Sequence, residues 1–131
     1  MSAEETVRNY IRALNGDDVD AVVGWVSNNF VNEHTAVLGD SVTGRDAYRS
    51  RLATFFAEFP QRNYEVEEII ADHGRIAVPY RLSATWLATA SVDSPRPFAI
   101  RGMFRFEVEN ALITKRTDYW DSAEFERQVK T

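Results

Sequence analysis

The hydrophobic pattern of this 131-residue chain changes period once, and that change leaves few architectures open. Across residues 2–59 the apolar positions recur at helical spacing. Across residues 63–120 they alternate as strands do. Helices followed by a run of strands joined by short turns predict an α+β fold with the helices gathered on one face of the sheet. Nothing repeats and no linker-like stretch interrupts the pattern, so residues 1–131 read as one domain.

The first helix is predicted from Val7, Tyr10, Ile11 and Leu14, which form a single apolar stripe. Asn15-Gly16 stops it, and Asp17 is placed to cap a second helix over 19–26. Residues 30–36 read as a short strand. Thr43-Gly-Arg-Asp46 resembles a capping box for a third helix that buries Tyr48, Leu52, Phe55, Phe56 and Phe59 before Pro60 ends it. A strand over 64–71 turns at Asp72-His73-Gly74-Arg75 into a long strand over 76–90. That register sets Ile76, Val78, Tyr80, Leu82 and Trp86 on one face. Ala77, Arg81, Ser83 and Leu87 take the other, and both faces look covered. A polar loop at 91–97 leads to a strand over 98–109, in which Phe104 is one of the alternating apolar residues. A turn at Glu109-Asn110 starts the final strand, and a short helix closes the chain.

Several functions are excluded by what the chain contains. A formal net charge of −5, with no run of Lys or Arg, argues against a nucleic-acid partner. The absence of cysteine removes disulfides, thiolate metal sites and cysteine nucleophiles. The two histidines lie far apart, so no metal site is expected. No phosphate-binding loop is evident either, so no cofactor is expected. No apolar run reaches the roughly 20 residues of a membrane span, and the acidic start is unlike a targeting peptide. A cytoplasmic location is the expectation.

Chemistry is most legible at the end of the last strand, where Arg116-Thr-Asp-Tyr-Trp-Asp121 sets two acids among aromatic rings. A carboxylate there is costly to bury unless it is paired or used. Three residues apart on a strand, Asp118 and Asp121 face opposite ways, so at most one enters a pocket. Asp121 with Glu124 fits a cap for the last helix, whereas Asp118 is either a pocket acid or a surface ion-pair member. Arg116 and Trp120 share the Asp118 face.

Tyr10-Ile-Arg-Ala-Leu-Asn-Gly-Asp-Asp-Val-Asp-Ala, Phe30-Val-Asn-Glu-His-Thr, Val42-Thr-Gly-Arg-Asp and Phe59-Pro, in that order, resemble the nuclear transport factor 2-like superfamily. Within it the chain looks closest to SnoaL-like polyketide cyclases and limonene-epoxide-hydrolase type enzymes. The resemblance implies a cone-shaped, cystatin-like roll: three N-terminal helices on a strongly bent antiparallel or mixed sheet, with a short C-terminal helix. It also implies an apolar pocket open at one end and a homodimer through the outer sheet face.

Site residues follow from the resemblance position by position. The hydrolase segment Arg-Asp-Tyr-Phe-Asp puts its water-holding acid on Asp118. The Arg-x-Asp unit of those enzymes falls on Arg81-Leu-Ser83, where Ser83 replaces the second acid that the hydrolysis needs. The steroid isomerases put their oxyanion-binding tyrosine on Tyr10 and their base on His34, and their protonated acid has no counterpart near Arg101-Gly102. SnoaL-like cyclases use a His/Asp pair, which implies catalytic roles for His34 and Asp118 assisted by Tyr10. His34 would be a general base near neutral pH. Arg81, Ser83, Arg116, Trp120, Phe104 and Phe56 are the substrate-binding candidates. The expectation is a cofactor-independent cyclase or isomerase acting on a small apolar molecule. A non-catalytic binding or interaction domain, and an epoxide-hydrolase-like enzyme, are the alternatives.

Overall fold

The computed structural model describes residues 1–87 and 95–130, so the end of the expected 76–90 strand and the start of the 91–97 loop lie outside the described residues. Helix α1 (Ala3–Leu14) is opened by a reciprocal Ser2/Glu5 capping box and buries Val7, Tyr10, Ile11 and Leu14, the expected stripe. Helix α2 (Val19–Val23) is shorter than expected, and Asp18 caps it instead of Asp17. Val26 begins strand β1 (Val26–His34), which therefore starts earlier than the sequence indicates. After the two-residue strand β2 (Val42–Thr43) comes helix α3 (Arg45–Glu58). No side chain caps α3. Gly44 occupies the cap position at φ 98°, a conformation open to glycine, so the motif works through its glycine and not as a capping box.

The expected 64–71 strand is two strands, β3 (Asn63–Val66) and β4 (Ile70–Asp72), which pair with different parts of β5 (Arg75–Trp86). Strands β6 (Arg96–Glu109) and β7 (Leu112–Trp120) follow, then helix α4 (Ser122–Val129), with the Asp121 carboxylate accepting from the amides of Ala123 and Glu124. The turn between β6 and β7 holds both Asn110 and Ala111 at positive φ, 51° and 63°.

The sheet runs β2-β1-β7-β6-β5-β3, with β4 also on β5. It is mixed because β1 lies parallel to β7, with His34 opposite Asp118. All other pairings are antiparallel, and the β5–β6–β7 register aligns Tyr80, Gly102 and Trp120 in one row. The inner face carries Ile76, Val78, Tyr80 and Leu82 from β5 and Ile100, Phe104 and Phe106 from β6, all buried. The outer face is open, contrary to the reading that both faces are covered: Arg81, Arg101 and Arg105 are exposed there. The period-two pattern placed the residues on the correct faces, but small and amphipathic side chains such as Ala77 and Ser83 imitate burial.

One buried cation has no sequence signature. Arg62 is 4 % exposed, lies 3.6 Å from the centroid of the Phe56 ring, and donates to the carbonyl oxygens of Leu14, Gly16 and Phe59. It ties the end of α1 to the end of α3. No helix among the described residues is long and apolar enough to cross a membrane.

Candidate functional site

Helix α3, the inner sheet face and α4 enclose a cavity of about 410 Å³, within the size range of small-molecule sites. Phe55, Phe59, Leu82, Trp86, Phe98 and Phe125 give it apolar walls. Its polar end is built by two adjacent strands. On β7 the period of two brings Arg116, Asp118 and Trp120 to the cavity, and on β1 it brings Asn32 and His34.

Asp118 is 5 % exposed. The hydroxyl of Tyr80 donates to its Oδ1 at 2.6 Å, and Oδ2 lies 3.6 Å from His34 Nδ1. Burial raises the pKa of Asp118 above the ordinary carboxylate value, while the Arg116 charge and the Tyr80 hydrogen bond hold it back. Burial also pushes His34 down, to about 3, helped by the charges of Arg116 and Arg51 and opposed by Asp40. With His34 neutral, the 3.6 Å contact is not an ion pair. The expected titration of His34 near neutrality is displaced, and its imidazole is neutral at physiological pH.

The hydrogen bonds around His34 define how it holds its place. Arg116 Nε donates to Asn32 Oδ1 at 3.0 Å, which turns the Asn32 amide nitrogen toward His34 Nε2 at 3.3 Å. The Trp120 indole nitrogen stands 3.3 Å from His34 Nδ1. A neutral imidazole has one acceptor nitrogen, so these two donors compete. With the proton on Nδ1 the ring faces Asp118 Oδ2 and accepts from Asn32. With the proton on Nε2 it accepts from Trp120.

Tyr10 stands behind this layer, fully buried and outside the cavity wall. Its oxygen accepts from Arg116 Nη1 at 2.9 Å and sits 2.5 Å from the Tyr48 hydroxyl. Burial raises the pKa of both phenols.

His34, Asp118, Arg116 and Trp120 therefore converge on one cavity, and Tyr10 supports Arg116 from behind. Arg81 and Ser83 do not line it: they point to the outer face, and their neighbours Tyr80 and Leu82 line the cavity in their place. Phe104 is completely buried beneath the site, with the Arg116 guanidinium 4.8 Å from its ring centroid. Phe56 is turned to Arg62, leaving Phe55 and Phe59 as the wall residues. Sequence reasoning passed over Asn32, Tyr48, Tyr64 and Tyr80. Asn32 was accessible, since alternation sets it on the face of Phe30 and His34. Gly102 also has a role invisible in sequence: a Cβ there would lie 2.5 Å from the Tyr80 hydroxyl, so the glycine makes room for the donor to Asp118. Among the described residues no group of three His, Cys, Asp or Glu side chains is placed to hold a metal ion.

No curated protein matches the chain by sequence. Among solved structures, a candidate SnoaL-like polyketide cyclase from Shewanella denitrificans superposes with a TM-score of 0.87 at 12 % identity, covering 98 % of this chain and 96 % of the other. A candidate polyketide cyclase from Xanthomonas campestris gives 0.83 at 22 % identity, over 97 % and 96 % of the two chains. A protein from Catenulispora acidiphila with a ketosteroid isomerase-like fold, solved in complex with trimethylamine, gives 0.83 at 16 %, over 96 % and 92 %. At these identities the likeness shows the fold alone. The sequence profile of the SnoaL-like domain matches residues 7–116. The chain belongs to the SnoaL-like domain family of the nuclear transport factor 2-like superfamily.

Proposed function

We infer that the cavity is the active site of a cofactor-independent enzyme of the cyclase or isomerase kind, in which Asp118 removes a proton from an activated C–H of a small, largely apolar molecule. The observation that carries this reading is a buried carboxylate facing an apolar cavity. Desolvation makes that carboxylate a stronger base than an exposed one, because the proton restores neutrality in a low-dielectric site. Tyr80 fixes one oxygen and leaves the other near His34. His34 is too weakly basic to be the principal base at neutral pH, so it orients Asp118 and excludes water from it. Tyr10 acts through Arg116. The aromatic wall fits a flat, cyclic or polyketide-like substrate. The cyclase names of the Shewanella and Xanthomonas structures support the same reading. The hydrolase alternative loses support, because Arg81 and Ser83 turn away from the cavity.

The test is proton exchange. A panel of cyclic ketones and β-dicarbonyl compounds is incubated with the protein in deuterated water and followed by NMR. Exchange above the protein-free rate that disappears in Asp118→Asn is expected. Ligands that bind without exchange would point to a binding module.

A further inference from the structure

Helix α4 gives the cavity a single side chain. Of its eight residues only Phe125 lines the space, and its ring is half-buried. Four other rings surround it. Its centroid lies 5.0 Å from Phe98 on β6, 5.6 Å from Trp86 on β5, 6.0 Å from Phe59 on α3 and 6.3 Å from Trp120 on β7. The contacts with Phe98, Trp86 and Trp120 are edge-on, at 88°, 68° and 84°, the arrangement that aromatic quadrupoles favour. Phe125 therefore spans from the end of α3 to three strands of the sheet and closes the cavity on the α4 side.

The frame around this ring is held by other bonds. The Leu87 amide donates to the Glu58 carbonyl at 2.8 Å, and the Thr85 amide donates to the Pro60 carbonyl at 3.4 Å. These fix the end of α3 against the end of β5. Helix α4 is secured on both sides of Phe125. Asp121 caps its first turn, and the Gln128 side-chain amide both donates to and accepts from the backbone of Ala99 at 2.8 Å. Arg96 Nη1 adds a bond to the Val129 carbonyl at 2.7 Å. The backbone of α4 is thus anchored without the ring, and the size of the side chain at this position acts on the cavity.

The ring also has a natural measure. An apolar cavity of about 150 Å³ takes up one benzene. By that scale the cavity of about 410 Å³ has room for roughly three such rings. Truncating Phe125 to alanine removes a group of benzene's own size from the wall, which lengthens the space by about one ring.

We propose that Phe125 sets the size limit for ligands of this cavity, admitting flat apolar molecules of up to roughly three fused rings and excluding larger ones. This rests on the reading of the cavity as the substrate site, and not on the proton transfer assigned to Asp118. Overpacking a fixed wall costs more than the extra apolar surface of a larger ligand returns, so the limit is sharp.

The probes are 2-naphthol, 9-phenanthrol and 1-hydroxypyrene, whose fused systems grow by one ring at a time. Each is titrated by calorimetry into the wild type, Phe125→Ala and Phe55→Ala. Phe55 lines the same α3 wall and makes no ring contact with Phe125 or the tryptophans. The wild type is expected to bind 1-hydroxypyrene at least about 10-fold more weakly than 9-phenanthrol, despite its greater apolar surface. Phe125→Ala should bind 1-hydroxypyrene at least about 10-fold more tightly than the wild type does, with 2-naphthol unchanged or weakened by up to about 3-fold. Should Phe125→Ala not fold, Phe125→Leu, which keeps an apolar contact and loses the ring, is judged by the same criterion. A wild type that binds 1-hydroxypyrene as tightly as 9-phenanthrol overturns the proposal. So does a ratio that Phe125→Ala leaves unchanged, or that Phe55→Ala raises equally. Proton exchange is scored separately: a shifted limit without exchange keeps Phe125 as the gauge and loses the enzymatic reading, and exchange with an unshifted limit does the reverse.

Discussion

Acidification should destabilise this protein through His34, by an amount the structure sets. The imidazole is ordinarily half-protonated at 6.5, and burial lowers that to about 3 in the folded chain. A base whose folded pKa is depressed contributes stability that is complete above its unfolded pKa. That stability is lost as pH falls from 6.5 toward 3, because the unfolded chain binds the proton first. Between about pH 8 and about pH 5 the loss is ~2 kcal/mol, some 1.5 pH units below the unfolded value at 1.36 kcal/mol each. Asp118 acts in the opposite sense. Its raised pKa means that the folded state holds the proton more tightly, so acidification through its range adds stability. Urea unfolding of the wild type and of His34→Asn at about pH 8, 7, 6 and 5 separates the two. His34→Asn itself alters the surroundings of Asp118, so both measurements are repeated in an Asp118→Asn background, which removes that contribution. The wild type should lose ~2 kcal/mol more than His34→Asn over this range, moving its midpoint by roughly 1 M urea relative to the variant. Parallel loss within about 0.5 kcal/mol, inside the error of such extrapolations, would mean that His34 titrates as an exposed imidazole. The desolvated ring at the cavity floor would then be wrong.

Four further outcomes are expected. Asp118→Asn should lower proton exchange on a responsive ketone by about 10²–10⁴-fold. Its thermal stability should match or exceed the wild type above neutral pH, since the buried charge is removed, and the gap should close on acidification. Gly102→Ala should cost about 1–3 kcal/mol by overpacking and should also slow exchange, because its methyl displaces the Tyr80 hydroxyl from Asp118. Ala111→Gly should raise stability by roughly 0.5–1 kcal/mol in chemical denaturation, because Ala111 holds φ 63° in the β6–β7 turn. A homodimer through the open outer face, where Met103 and Tyr119 are exposed, should sediment at twice the 15.0 kDa chain mass, and Met103→Arg should return it to monomer.

The elements that were legible in sequence are those whose signal is repeated along the chain. Val7, Tyr10, Ile11 and Leu14 repeat one spacing over a whole helix, and the β5 and β6 residues alternate over strands of 12 and 14 residues. Ends were less legible, because a cap is a single-residue choice. Asp17 and Asp18 are chemically equivalent, and only the path of the chain puts Asp18 at the helix and Asp17 beside Arg62. The site divides in the same way. Period two along β7 brought Arg116, Asp118 and Trp120 together correctly. Which face of β5 is concave depends on how the sheet curls, and that is a property of all its strands, so Arg81-Leu-Ser83 was read one residue out of register with the cavity. Phe56 went astray through a contact with Arg62 that no local pattern announces.

The separation of Arg116 from Asp118 is the feature that stability alone does not account for. Both are buried, yet no direct ion pair joins them. The guanidinium spends two donors on Asn32 and Tyr10, and the carboxylate accepts from Tyr80. Two buried charges recover their desolvation cost only when they are closely paired, and well-packed apolar residues commonly do as well or better. Here the field of Arg116 holds down a carboxylate pKa that burial raises, without closing the gap between them. An Arg116–Asp118 contact would bring Asp118 back toward an ordinary acid and close off the free face of the guanidinium. Holding them apart through Asn32, His34, Tyr10 and Tyr80 keeps the acid basic and the cation open to the cavity. The acid–base reading proposed above depends on that separation, since a direct ion pair would leave Asp118 a weaker base.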